Sequence, residues 1–250
     1  MTTAYLQIYR QFQASGMQDK IGNWNNLITY SQYKKAFETT LSKVSSNSKV
    51  LDWGCGNGHF SYFLILSGFR PVGYSYETRP AIFSGESRFT FVPGTEGEPT
   101  HLPFGDGEFD AVFSIGVLEH VHQFGGDPVG SVRELHRVVK QGGLFLCFHL
   151  PNRFTWIEFI ARLVRRGGSS IHVHDKLYDR KRIEDLLLPN GFKLLEAGRY
   201  AFLPRGIFRR APRFIRDSTG TALLINFVDD VLNALFGVFS QNWYFVAIKE

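Results

Sequence analysis

Apolar and polar positions alternate along this chain in two different rhythms, and the change from one to the other marks out its elements. From Thr3 to about Leu41 the period is helical: Tyr5, Ile8, Tyr9 and Phe12 recur at three- and four-residue steps, as do Tyr33, Phe37 and Leu41. Ser45 to Ser48 is a polar loop. Short apolar runs then alternate with helical segments. Strands are expected at Lys49–Trp53, Arg70–Tyr74, Arg88–Val92, Asp110–Ile115 and Leu144–Leu150. Helices are expected at Phe60–Leu66 and at Ser131–Val139, the second ended by Gly142-Gly143. Short apolar strands separated by helices describe a parallel sheet covered on both faces, the α/β class.

The last third departs from that rhythm. Phe154–Arg166 predicts a basic amphipathic helix, Arg180–Leu188 a helix and Phe192–Tyr200 a strand. About forty residues of different character, Phe202–Gln241, precede a terminal strand, Trp243–Lys249. There is no internal repeat and no low-complexity tract.

Composition narrows the class. At 250 residues and 44% apolar, the chain is long enough for one full domain and too apolar for wholesale disorder. The net charge of +5 favours acidic partners such as phosphates or anionic lipid, and a merely solvated basic surface fits equally. Cys55 and Cys147 form no disulfide framework, which fits a reducing cytosol. The N-terminus lacks the charged start and apolar run of a signal peptide. No uninterrupted apolar stretch of about 20 residues occurs, so no bilayer-spanning helix is expected and the protein should be soluble or peripheral.

The most informative segment runs from Val50 through Asp52, Gly54, Gly56 and Gly58 to Phe60: strand, glycine turn, helix. Glycine there admits strained backbone angles and close approach of a ligand to the main chain. The free N–H groups opening the next helix favour an anionic group. The dinucleotide pattern G-x-G-x-x-G/A fails, because from Gly54 its third small position is His59, and from Gly56 the strand would end too early. A phosphate-cradling loop needs Gly-Lys-Ser/Thr, which is absent. A ligand-free turn remains the structural alternative.

The D-x-G-x-G-x-G pattern at Asp52–Gly58 instead resembles the first motif of the class I S-adenosylmethionine-dependent methyltransferases. Leu102-Pro103-Phe104, Phe109-Asp110 and Leu118-Glu119-His120-Val121 extend the likeness to the small-molecule, ubiquinone- and sterol-type (type 11) group. The resemblance covers roughly Lys43–Leu150. It implies a Rossmann-like three-layer sandwich, a mostly parallel seven-stranded sheet with an antiparallel last strand, here carrying a helical insertion at 202–241. The whole chain then reads as one domain: a helical cap at 1–44, a cofactor-binding half at 45–150 and an acceptor-side half at 151–250.

By the same resemblance, Asp52, Gly54, Cys55, Gly56 and Gly58 line the methionine end of S-adenosylmethionine. The family's ribose-binding acid aligns with Ser75; either Glu77, two residues on, reaches the ribose, or Tyr74 and Ser75 hold it more weakly. Thr95 or Glu96 stands for the acid that meets the adenine amino group. Ser114, Ile115 and Gly116 floor the pocket beside the sulfonium.

Methyl transfer needs in-line positioning above all, and a base only where the acceptor must lose a proton. His120, His122, His149, His172 and His174 are the candidates, with His149 and His120 placed at the sheet's carboxyl edge, where ligands sit. A packing role is the alternative for His120. Ile171-His172-Val173-His174-Asp175 lacks a third well-placed ligand, so no metal is expected, and a polar lid is the plainer reading.

The acceptor is expected to be a small apolar or lipid- or glycan-linked molecule, methylated on oxygen or carbon. The aromatic, arginine-bearing segments at Phe154–Arg166 and Leu203–Arg216 and the helix Ala222–Phe239 have two readings: packing or a homodimer face, or docking to an anionic membrane surface from the cytoplasm. No RNA-binding module is recognisable, which disfavours nucleic acid. The rival from another class is a non-catalytic module that keeps the fold for binding or assembly.

Overall fold

The structure, a computed structural model, describes residues 3–16, 24–95, 97–165 and 174–250. Helices α1 (Thr3–Ala14), α2 (Leu27–Tyr30) and α3 (Lys34–Lys43) precede β1 (Val50–Trp53), α4 (His59–Leu66), β2 (Val72–Ser75) and β3 (Thr90–Pro93). Then follow β4 (Phe109–Ile115), α5 (Pro128–Val138), β5 (Val139–Pro151), α6 (Trp156–Arg165), α7 (Arg180–Leu187) and β6 (Phe192–Tyr200). Two further helices, α8 (Arg213–Arg216) and α9 (Thr219–Phe236), lead into β7 (Asn242–Lys249).

The seven strands form one sheet in the order β3-β2-β1-β4-β5-β7-β6. Strands β1 to β5 pair in parallel, and β7 runs antiparallel between β5 and β6. The expected Rossmann-like sandwich is present, antiparallel last strand included. Strand order reverses beside β1, so the carboxyl ends of β1 and β4 open a crevice there, the usual ligand position in open α/β sheets.

Each face of the sheet carries its own core. One packs the amino-terminal helices and α4 through Tyr5, Phe12, Trp24, Phe37 and Phe63, all fully buried. Rings of this size bury some 150–250 Å² each, which explains how short helices stay attached. The other core joins α5 and α7 through Val132, Leu135, Ile183 and Leu187. Helix α5 begins earlier than its apolar period indicates, because the Asp127 carboxylate accepts the Gly130 N–H at 2.8 Å and Pro128 opens the first turn.

Two expectations are corrected. Gly142-Gly143 does not end that helix: α5 stops at Val138 and β5 already starts at Val139, which pairs with Phe109. The glycines lie within β5, at the register shift between Phe109 and Ala111. Second, Thr219–Phe239 is long and apolar enough, by length and composition, to cross a membrane, with only 17% of it buried. Asp229 and Asp230 interrupt the apolar run without outweighing it.

Candidate functional site

A cavity of about 340 Å³ opens at the carboxyl ends of β1, β2 and β4. Its glycine wall follows from backbone geometry. Gly54 has φ +75°, and a Cβ there would sit 2.5 Å from Val117 Cγ2, so no other residue lets the loop pass so close to the turn after β4. Gly56, at φ +45°, borders open space: a Cβ built there would meet only the Gly54 carbonyl, at 3.9 Å. The Gly54 and Cys55 N–H groups both donate to the Tyr74 carbonyl, at 2.8 and 2.9 Å, which fixes the loop against β2. Gly58 (φ +78°) precedes α4 as an N-cap without a side-chain hydrogen bond.

Of the residues expected at a cofactor site, Gly54, Gly56, Ser75, Glu77 and Gly116 line this cavity, together with His120. Glu77 is exposed, and its N–H donates to Ser75 Oγ at 3.2 Å. The others lie elsewhere. Asp52 points away from the cavity: fully buried, it accepts the Ser61 hydroxyl at 2.6 Å and so ties β1 to α4. Burial raises its carboxyl to about 6, against the pull of those Ser61 hydrogen bonds. Cys55 is packed in the core, where burial pushes its thiol up. Gly58 packs on Phe83. Ser114 and Ile115 stay within β4, and only Gly116 of that trio reaches the cavity. Thr95 is exposed and off the cavity, and Glu96 lies outside the described residues.

His149 ends β5 at φ +61°, a backbone conformation that side chains other than glycine rarely adopt. It is held there by Tyr200, whose phenol oxygen accepts the His149 N–H at 2.8 Å and lies 3.2 Å from Nδ1. Burial, then the neighbouring His59, lowers its imidazole to about 4, so the ring is neutral at physiological pH. Its Nε2 has no partner among the described residues. It does not line the cavity, but its Cβ is 3.9 Å from where a Cβ on Gly116 would stand, immediately behind the cavity wall. His122 stands 3.7 Å from Asp175, His174 binds Glu158 at 2.5 Å, and His172 lies outside the described residues. No cluster able to hold a metal occurs among the described residues.

Sequence reasoning missed two features. The first is an aromatic wall: Trp53, Tyr74, Tyr76 and Phe124 all face the cavity, with Tyr76 and Phe124 stacked at 5.9 Å and 15°. These residues come from the ends of β1 and β2 and from the turns after β2 and β4, so only the Tyr74-Ser75-Tyr76 run at the end of β2 carried a signal. The second is Glu119, 3% exposed, with one carboxylate oxygen unpartnered and the other 3.7 Å from a Cβ placed on Gly116. Burial raises it to about 7, opposed first by its own backbone hydrogen bond and then by the charge of His174.

The geometry fits S-adenosylmethionine on its own terms. A left-handed glycine loop leaves room at Gly56 for a polar chain, Ser75 and Glu77 offer oxygen atoms to ribose hydroxyls, and the aromatic wall offers ring faces to a base.

Residues 51–147 match the family model described as a methyltransferase domain. A demethylmenaquinone methyltransferase of Staphylococcus saprophyticus is 31% identical over 154 residues, 56% of this chain and 61% of that one. The aligned stretches span 52% of the length of an uncharacterized methyltransferase of Synechocystis and 61% of that of the Staphylococcus saprophyticus protein. Among solved structures, an S-adenosylmethionine-dependent methyltransferase from Thermotoga maritima superposes with TM-score 0.60 at 14% identity, covering 98% of this chain and 99% of that one. The Burkholderia thailandensis 1,6-didemethyltoxoflavin N1-methyltransferase, solved with S-adenosylhomocysteine, gives 0.58 at 14% identity over 98% and 88%. In its glycine loop, strand order and matched segment, the chain is similar to the class I S-adenosylmethionine-dependent methyltransferases.

Proposed function

We propose that this chain binds S-adenosylmethionine in the cavity beside Gly54 and Gly56 and methylates a small apolar or lipid- or glycan-linked acceptor on oxygen or carbon. The observation that carries the reading is the cavity itself: a left-handed glycine loop and an aromatic wall meeting at the sheet's switch point. When bound, the cofactor supplies an electrophilic methyl on a sulfonium, so the chain's share of the chemistry is mainly positioning. Gly54, Gly56 and the opening turn of α4 would hold the amino-acid end, Ser75 and Glu77 the ribose, Tyr76 and Phe124 the base, and Gly116 the floor. The single domain thus divides its work between a cofactor half and an acceptor half.

His120 lines the cavity and His149 stands behind Gly116. His149 is neutral, so it serves as a hydrogen-bonding partner for an acceptor's oxygen. When the Tyr200 phenol proton points at Nδ1, the ring proton is left on Nε2 and His149 donates; in the other tautomer it accepts. The relatives named demethylmenaquinone methyltransferase and ubiquinone/menaquinone biosynthesis C-methyltransferase support a quinone-like acceptor and carbon methylation. A cytoplasmic location facing a membrane that would hold such a molecule goes with this reading.

Calorimetry tests the first step: S-adenosylmethionine should release heat on binding, and Gly56→Arg, which fills the cavity, should abolish it. Absence of heat with the unaltered chain at high cofactor concentration overturns the reading. The second reading, a binding module without catalysis, is favoured by Ser75 standing where the family has an acid and by the exposure of Glu77. Release of S-adenosylhomocysteine from a lipid or metabolite extract decides between the two.

A further inference from the structure

Helix α9 is inside out. A soluble helix buries its apolar stripe and wets its polar one. Here Ala222, Asn226 and Asp229 are buried, while Leu223, Leu224, Phe227, Val228, Val231 and Leu235 face outward. Leu224, Phe227 and Leu235 are each more than 60% exposed. The polar side is fixed by contacts that allow no rotation. Arg205, 6% exposed, donates to Asp229 at 2.9 Å and also to Ser31 and Asn226. The other Asp229 oxygen accepts the Leu203 N–H at 2.6 Å, and Lys34 pairs with Asp230 at 3.1 Å. Turning the helix to bury its leucines would strand a buried charge pair.

The outward face continues onto α6. Phe236 at the end of α9 meets Phe202, which meets Trp156 at the start of α6, at ring separations of 6.4 and 6.0 Å. On α6, Phe159 is 71% exposed, and Ile160, Leu163 and Val164 are exposed with it. Just before α9, Phe214 is 79% exposed between the exposed Arg210 and Arg213 and the partly exposed Arg216. Exposed apolar patches larger than a few hundred Å² are rare on monomers and mark contact surfaces.

We infer that α9 and α6 form a membrane-docking face that lies in the surface of an anionic phospholipid bilayer. The occupant is identified by charge and shape. Bulky apolar side chains on one face with arginines at its edge are the layout of an interfacial helix, whose arginines meet anionic headgroups. The helix lies flat instead of crossing, because Asn226 and Asp229 hold its other side to the domain. That inner side also walls a second cavity, of about 380 Å³, shared with Arg205, Asp229 and Tyr200, and Tyr200 holds His149. The docked face would therefore stand close to the acceptor side; this last link rests on the proposed methyl transfer, whereas docking does not.

Sedimentation with vesicles tests the surface without any need for activity. The full chain should pellet with phosphatidylglycerol/phosphatidylcholine vesicles at low salt, with or without S-adenosylmethionine, and less as salt rises. Replacing Leu224→Asp with Phe227→Asp should abolish pelleting while leaving cofactor binding heat and unfolding temperature unchanged, since both side chains point outward. Arg210→Glu with Arg213→Glu should weaken it by about five-fold or more per arginine. No pelleting at low salt overturns the inference, as does equal pelleting with phosphatidylcholine alone. A stable dimer that the Leu224→Asp, Phe227→Asp variant splits, in a chain that ignores vesicles, would assign the face to a second copy instead. Loss of methyl transfer with intact vesicle binding would sink the proposed function and leave the docking face standing.

Discussion

Glu119 offers the sharpest test of the electrostatics beneath the cavity. Its carboxyl stands 3% exposed in the turn after β4, raised from 4.5 to about 7 chiefly by burial. The folded chain therefore holds the proton more tightly than the unfolded one. The stability this gives is fully present below pH 4.5 and is lost as pH rises through 7. The gap between 4.5 and about 7, at ~1.36 kcal/mol per pH unit, makes the loss about 3 kcal/mol. Glu119→Gln removes the titration and keeps the shape. Its amide leaves a buried polar group imperfectly paired, costing ~1–3 kcal/mol at every pH. That cost shifts the whole difference curve without bending it. The measurement is urea or thermal unfolding of both chains from pH 4 to pH 8. Between those limits the variant should gain about 3 kcal/mol on the parent, or roughly 6–12 °C for a domain of this size. Other titrating groups, Asp52 among them, cancel in the difference as long as they lie outside direct contact. A difference that stays flat across the range refutes the argument, and Glu119 would then have a partner or solvent that offsets its burial.

Three further outcomes follow from neighbouring geometry. Tyr200→Phe removes the oxygen that accepts the His149 N–H at 2.8 Å; leaving that donor unpaired should cost ~1–3 kcal/mol in chemical denaturation and loosen His149. Ala201 sits at φ +60° right after β6; Ala201→Gly should therefore stabilise the chain by about 1 kcal/mol, seen as a higher urea midpoint. Asp52→Asn should narrow its stability deficit, or turn it into a gain, as pH rises from about 4 to about 6, because the parent's raised carboxyl ionises over that window; a pH-independent difference would contradict the buried, Ser61-bonded placement.

How much of this was legible beforehand depends on what each feature is made of. The strands were readable because buried parallel strands are short apolar runs, and Val50–Trp53, Phe109–Ile115 and Phe192–Tyr200 needed adjustments of no more than a residue. Strand β5 was the exception. Its first five residues, Val139–Gly143, are mostly exposed and include two glycines, so they looked like a helix stop. The glycine loop was legible because its function depends on absent side chains at fixed spacing. The aromatic wall was not, since Tyr76 and Phe124 lie 48 positions apart in the chain and meet only through the sheet order.

The acid residues show the same limit from the other side. A carboxylate beside a strand end looks like a ligand contact in a sequence, but the pleat decides which way it points. Asp52 turned into the core to bind Ser61, whereas Glu119, two residues beyond Val117 in a turn, came to lie against Gly116. Helix α9 carries this reasoning furthest. Its polar positions, Asn226, Asp229 and Asn233, announced a face at helical spacing, yet the period alone cannot say which face is inside. Arg205, more than twenty residues upstream of Asn226, supplies the buried countercharge that draws the polar face inward. The apolar face is then left outside by an interaction that no local pattern encodes. A helix arranged this way is poorly suited to water on energetic grounds. Its stability in the folded chain should therefore rise when an apolar medium covers Leu224 and Phe227, which makes protection of α9 amides by anionic vesicles in hydrogen exchange the direct consequence of that buried ion pair.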